Sequence, residues 1–220
     1  NTTYIERASL AVEWSLKTLI PGESGLMYDS YNLTSRSFIP LKWNTLTPSR
    51  VGRPMADDSM FLRVAQLGGP KSAQLRRAFY EVIDRLIATE APPGNWGGYV
   101  PCSGVNGSMH PRQAFWWGMP FVEAYRDTKN PKYLAVALRA GRWYAEAQKS
   151  DGGMFRHTDA QFQTSTFGQV ASGSACAAIL WLELYAVTQD ASLLLLIERA
   201  LGFVAGSQLV NASHPELRNA

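Results

Sequence analysis

Apolar positions recur at helical spacing along most of the chain, and they do so in two styles. The segments at about 3–19, 71–89, 131–148 and 191–208 carry a one-sided apolar stripe, which in the third includes Leu134, Leu138, Trp143 and Ala147. That is the pattern of a helix with one face on a core and the other in water. The segments at about 56–67, 112–127 and 168–187 are small, aromatic or aliphatic on most faces, as in SGSACAAILWLELYAV. A helix apolar on most faces belongs inside. Strand-like alternation is nearly absent. The pattern therefore predicts an all-α protein in which four outer and three inner helices alternate.

The two styles also repeat in register. TKNPKYLAVALRAGRWYAEAQKSDGG at 128 aligns with TQDASLLLLIERALGFVAGSQLVNAS at 188, matching Thr128 to Thr188, Ala140 to Ala200, Trp143 to Phe203 and Gln148 to Gln208, a period of 60 residues. Weaker copies place Ala78 one repeat earlier and share Ile-Glu-Arg-Ala between 5–8 and 197–200. A period of this length marks a supersecondary array. Helical hairpins so stacked form a solenoid or curl into a partial or complete α/α toroid. We expect one array over residues 1–220, three hairpins and a half, continuing in a longer parent chain.

The connections are unequal. Inner helices pass to outer ones through short turn clusters, LGGPK, DTKNPK and TQDAS, punctuated by Gly, Pro and Asn. Outer helices return to inner ones through long segments at about 20–55, 90–111 and 149–167. Loops of such length in a compact domain usually carry function. All three leave from one end of the array. They hold Tyr28, Tyr31, Trp43, Trp96, Tyr99, His110 and His157. One end thus reads as frame and the other as site.

Composition removes several classes of function. The chain has 21 basic and 18 acidic residues, net +3, with no block of like charge to follow a phosphate backbone. Nucleic acid is not an expected partner. Glu183 interrupts the longest apolar run, so no membrane span is expected. Phosphate loops, nucleophile elbows, CxxC and HExxH are missing, and three His with two Cys make a structural zinc site improbable. No cofactor is called for, although loop carboxylates could take calcium without leaving a motif. Cys102 and Cys176 could form one bridge or stay as two thiols. Four of the eight asparagines, Asn1, Asn32, Asn106 and Asn211, stand in N-x-S/T triplets. That excess suggests a secreted or extracellular glycoprotein.

Candidate chemistry gathers at the loop end. Asp57 and Asp58 open the first inner helix. One could cap it, or a carboxylate there could face the toroid's cavity as a general acid. Arg156-His157-Thr158-Asp159 follows the Gly152-Gly153 turn; Arg156 could clamp a carboxylate while His157 and Asp159 orient one another or take hydroxyls. His110 precedes the second inner helix. Of the neighbours Trp116 and Trp117, one should be core and the other should line the cavity. Aromatic rings among Gly, Asn and Asp suit sugars, whose C–H faces stack on rings. Trp96, Tyr99 and Trp117 are the expected platforms.

On these residues the chain resembles a family. MADDSMFLRVAQLGG, the hairpin from AFWWGMPFVEAYRD through QKSDGGMFRHTD, and FGQVASGSACAAILWLELYAVTQD are similar to the six-hairpin glycosidase superfamily, nearest to the unsaturated glucuronyl and rhamnogalacturonyl hydrolases. The likeness covers about residues 50–205. It implies an α/α barrel that removes a 4,5-unsaturated uronic acid from lyase-cut polysaccharides, an inner-helix Asp protonating the enol ether and activating water. Asp57, Asp58 and Phe61 match its D-D-x-x-F element, and Asp151, Gly152 and His157 match its D-G loop with a following His. Six hairpins at this period would need roughly 360 residues, so the chain supplies just over half. A second inner-helix Asp is missing, leaving Asp159 as a loop substitute.

The resemblance makes the chain a glycoside-hydrolase-like, carbohydrate-active enzyme, with Asp58 as acid/base, Asp57 orienting it, and His110, Arg156, His157 and Asp159 holding sugar. The alternative is a secreted glycoprotein module without catalysis, binding or assembling through the last helix, whose Leu194, Ile197, Leu201 and Val204 would meet a second copy or the rest of the array.

Overall fold

In the computed structural model the described residues are 2–40, 46, 52–54, 59–164 and 168–208. Within them the chain forms seven α-helices: α1 Thr2–Ser15, α2 Met60–Gln66, α3 Ser72–Ala88, α4 Met119–Thr128, α5 Pro131–Ala147, α6 Ala171–Thr188 and α7 Ser192–Gly206. The helices pair as hairpins α2/α3, α4/α5 and α6/α7, with α4 also against α6 and α1 against α2. The fold is the alternating array that the two apolar styles predict, an α/α-hairpin toroid in part.

The short turns show why the 60-residue period exists. Thr128 Oγ1 donates to the Ala124 carbonyl at 2.7 Å, and Thr188 Oγ1 donates to that of Leu184 at 2.8 Å. Next, Lys129 and Gln189 turn left-handed at φ 58°, and their N–H groups close on the carbonyls of Tyr125 and Tyr185. Asn130 Oδ1 then accepts the Lys132 N–H at 3.1 Å, while Asp190 Oδ1 accepts that of Ser192 at 3.0 Å. The threonine ends one helix and the Asn or Asp begins the next, so three residues reverse the chain. Asn130→Ala removes the cap of α5; it should cost about 1 kcal/mol and lower the thermal midpoint by about 2–4 °C, read by calorimetry.

A second periodic device lies in the long loops. Gly25, Gly94 and Gly152, at φ of +75°, +82° and +88°, press their Cα atoms against the backbones of Glu81, Arg139 and Arg199 on the outer helices α3, α5 and α7. The second residue on is buried in each case: Met27, Trp96 and Met154. Each loop is thus stapled to an outer helix before it crosses to an inner one. Between the layers lie Phe79, Val82 and Leu86 of α3, Phe121 of α4, Tyr144 of α5 and Trp181 of α6, all at 1% exposure or less. The repeat-related Ala78, Ala140 and Ala200 are likewise buried, where helices approach closely.

Several expectations need correcting. The first long loop contains a small antiparallel hairpin, β1 Ser30–Asn32 and β2 Ser37–Ile39, with Tyr31 opposite Phe38. Three-residue strands are too short for alternation to register. Of the two states left open for Cys102 and Cys176, the structure has two free thiols. Ile197 is 6% exposed and belongs to the core, whereas Leu194 and Leu201 are 45% and 47% exposed. Helix α6 is by length and composition long and apolar enough to cross a membrane. Here it packs on α4, α5 and α7, and its Glu183 pairs with Arg126 of α4.

Candidate functional site at the loop end

The loop between α3 and α4 is organised by one buried side chain. Asn95 Oδ1 accepts the N–H groups of Gly97 at 2.7 Å and Gly107 at 3.2 Å, and its Nδ2 donates to the Ser108 carbonyl at 3.2 Å. That knot folds the loop's aromatics inward. Trp96 donates to the Leu86 carbonyl at 2.8 Å and stacks on Phe121 at 5.8 Å; Tyr99 donates to Thr89 Oγ1 at 3.2 Å. Trp117 donates to the Pro54 carbonyl at 3.0 Å. All three are at 1% exposure or less. They are core residues, and a ring enclosed on both faces cannot stack on a sugar. Burial also pushes the Tyr99 phenol up to about 12.

The accessible member of the tryptophan pair is Trp116. A π-helical turn over Ala114–Gly118 precedes α4 and adds a residue to its first turn. This rotates Trp117 into the core and leaves Trp116 half-buried towards the loops. Around Trp116 the chain assembles a cationic and imidazole shell. The guanidinium carbons of Arg112 and Arg53 lie 5.2 and 5.7 Å from the ring centroid, and His110 stacks at 5.1 Å. Arg53 Nε donates to Asp29 Oδ1 at 2.6 Å.

The backbone brings the two candidate histidines together. Met109 and Thr158 exchange N–H···O bonds of 3.1 and 3.0 Å. This tie sets His110 edge-on to His157 with centroids 4.9 Å apart. His110 Nδ1 accepts the Arg112 N–H at 3.3 Å, so the neutral ring carries its proton on Nε2. Burial first, then the nearness of His157, Arg112 and Arg156, holds the His110 pKa down to about 3. Burial lowers that of His157 too, against the bond it makes to the Pro101 carbonyl. Both rings are neutral donors and acceptors at neutral pH.

The sign of the pH dependence follows. Unfolded, His110 takes a proton near 6.5; folded, only near 3. Between these values the unfolded chain binds more protons, so stability falls as pH falls from 6.5. His110→Gln should flatten the slope of unfolding free energy between pH 7 and 5 by up to about 1.4 kcal/mol per pH unit, read by urea titration.

Arg156 and Asp159 are exposed, Arg156 standing near enough to both histidines to disfavour their charged forms. Asp159 Oδ1 accepts the N–H groups of Gln161 and Gln163, both at 2.9 Å, so it shapes its own turn. Asp57 and Asp58 lie outside the described residues. Their neighbours do not: Pro54 is pinned by Trp117, and Ser59 heads α2 wholly buried, left-handed at φ 54°, without a side-chain capping bond. The buried Ser59 Oγ and Arg53 Nη1 have no hydrogen-bond partner among the described residues. Left-handed non-glycine backbone and orphaned polar atoms collect at functional sites more than elsewhere.

A cleft of about 100 Å³ opens beside α2, lined by Trp14, Tyr28, Asp29, Tyr31, Phe38 and Met60 among others. Tyr28 stacks on Phe38 at 5.2 Å, with Trp14 and Tyr31 edge-on to their group. Tyr28 and Tyr31 stood out in the sequence as loop-end aromatics, whereas Trp14, Asp29, Phe38 and Arg53 were not among the residues singled out. The adjacency of Arg53 to the Asp57-Asp58 segment was the available signal. No group of three or more potential metal ligands occurs among the described residues.

Structural comparison matches the chain to unsaturated glucuronyl hydrolase from Bacillus sp. GL1, described as responsible for the degradation of glycosaminoglycan. The TM-score is 0.65 at 18% identity, over 93% of this chain and 56% of that one. It matches equally an Asp-to-Asn variant of UGL with dGlcA-Glc-Rha-Glc, at TM-score 0.64 and 18% identity, again over 93% and 56%. The chain therefore has part of the six-hairpin glycosidase fold and spans just over half the length of these neighbours. No protein-family model and no curated protein matches its sequence.

Proposed function

We propose that the chain is the site-bearing part of a secreted carbohydrate-active enzyme of the glycoside hydrolase type, acting on an oligo- or polysaccharide that contains an acidic sugar. The observation that carries this reading is the shell around Trp116: a half-exposed ring flanked by Arg53, Arg112 and His110, with His157 against His110, and with Arg53 four residues before Asp57 in the chain. A guanidinium set suits a carboxylate, neutral imidazoles suit hydroxyls, and the ring suits a C–H face. Asp58 protonates the departing group, Asp57 orients it, and Arg156 and Asp159 contact the sugar at the rim. The array continues into further hairpins, as the exposed Ile179, Leu182, Leu194, Leu195 and Leu201 on α6 and α7 favour.

The test is calorimetric binding with paired oligosaccharides, one ending in a uronic acid and one neutral. Arg112 is exposed, so Arg112→Ala should fold normally. Loss of one charge-assisted contact should weaken acidic ligands about tenfold or more and neutral ones little. Equal weakening of both would remove the carboxylate from the reading. The second reading, an assembly module, rests on the same apolar face of α6 and α7. It expects Leu201→Glu to give smaller particles by light scattering.

A further inference from the structure

Two of the N-x-S/T triplets fall on described residues, and the structure treats them differently. Asn32 ends β1, is exposed, and its Oδ1 accepts the N–H groups of Thr34 and Ser35 at 2.9 and 3.0 Å. Its Nδ2 has no protein partner among the described residues. Leu33 is 84% exposed and Thr34 is exposed as well, so the whole triplet stands clear of the fold. Asn106 is also exposed, in the tight turn that Ser108 N–H closes on the Val105 carbonyl at 3.1 Å, with Gly107 at φ +83°. Its hydroxyl partner, however, is sequestered. Ser108 is 1% exposed, its Oγ donates to the Val105 carbonyl at 2.6 Å, and its carbonyl takes Asn95 Nδ2.

We propose that Asn32 and Asn106 are both N-glycosylation acceptors with different windows: Asn32 before or after folding, Asn106 only before. In the reaction a bond forms between Nδ2 and sugar C1 as the bond from C1 to a lipid-linked diphosphate breaks. The Nδ2 proton goes to the transferase base and the diphosphate leaves. A transferase reads the triplet through its third-position hydroxyl as well as its asparagine. In the folded chain that hydroxyl can be reached at Thr34 and not at Ser108. Once attached, a glycan at either asparagine projects into solvent without displacing packed atoms. The Asn106 turn abuts the 157–163 loop, since a Cβ on Gly107 would meet Ala160 Cβ at 2.9 Å. The glycan there would stand at the rim of the candidate site. The proposal does not depend on the enzymatic reading.

The experiment compares two routes. The full chain behind a secretory leader is translated into microsomes, and the same chain, folded and unmodified, is incubated with purified oligosaccharyltransferase and its lipid-linked donor. Peptides are mapped after amidase release in heavy-oxygen water, which marks each formerly modified Asn as labelled Asp. Both asparagines should be labelled in the microsomal product and Asn32 alone in the folded one. Thr34→Ala should erase the Asn32 label and spare that of Asn106. An unmodified Asn32 or Asn106 from microsomes, an unmodified Asn32 on the folded chain, or a modified Asn106 on it overturns the proposal.

Discussion

Gly152→Ala is expected to be the most destabilising single-methyl change in the chain. At φ +88° an L side chain is already strained, and the added Cβ would overlap the Arg199 carbonyl, which belongs to helix backbone and cannot rotate aside. Strain and overpacking together should cost about 3 kcal/mol or more, lowering the thermal midpoint by about 10 °C for a chain of this size. Gly202→Ala is the control. Gly202 sits inside α7 with open space where its Cβ would go. Replacing a helical glycine there should stabilise by roughly 0.5–1 kcal/mol. Opposite shifts of the midpoint in the two variants would identify the loop-to-helix staple as the cause; similar shifts would refute it. Gly94→Ala, whose Cβ would lie 2.6 Å from the Arg139 carbonyl carbon, should behave like Gly152→Ala.

That staple marks the boundary of what could be read from the residues. The helices and their outer or inner style were legible because each 3.6-residue stripe is a local statement about which side meets the core. The turns were legible for the same reason, since Thr128, Asn130, Thr188 and Asp190 bond within four residues of themselves. Burial within loops was not. Trp96 and Tyr99 looked available because long loops lie at the surface, yet Leu86, Thr89 and Phe121 enclose them through contacts that no local pattern encodes. The tryptophan pair shows the limit most sharply. That one ring is core and the other is not was readable from their adjacency. Which was which depended on a π turn that shifts the helix phase by one residue. Arg53 and Asp29 pair across 24 residues, beyond any motif spacing.

Asp58→Asn carries the largest expected effect on activity. An amide keeps the size and much of the hydrogen bonding of a carboxyl group but has no acidic proton to give, so loss of general-acid catalysis should lower kcat by about 10²–10⁴. KM should change little, because the proposal gives sugar binding to Arg53, Arg112 and the Trp116 ring, none of which the substitution alters. Folding should be nearly unaffected. Ser59 holds the N-cap position of α2, and an Asn amide oxygen accepts backbone N–H groups as a carboxylate does. The residual rate of the variant should also lose the alkaline limb of the pH profile that deprotonation of the acid imposes on the parent. A variant that keeps full turnover would move the chemistry away from Asp58. A collapse confined to Asp57→Asn would exchange the two roles. A midpoint that falls with the rate would return the pair to the structural duty of opening the helix.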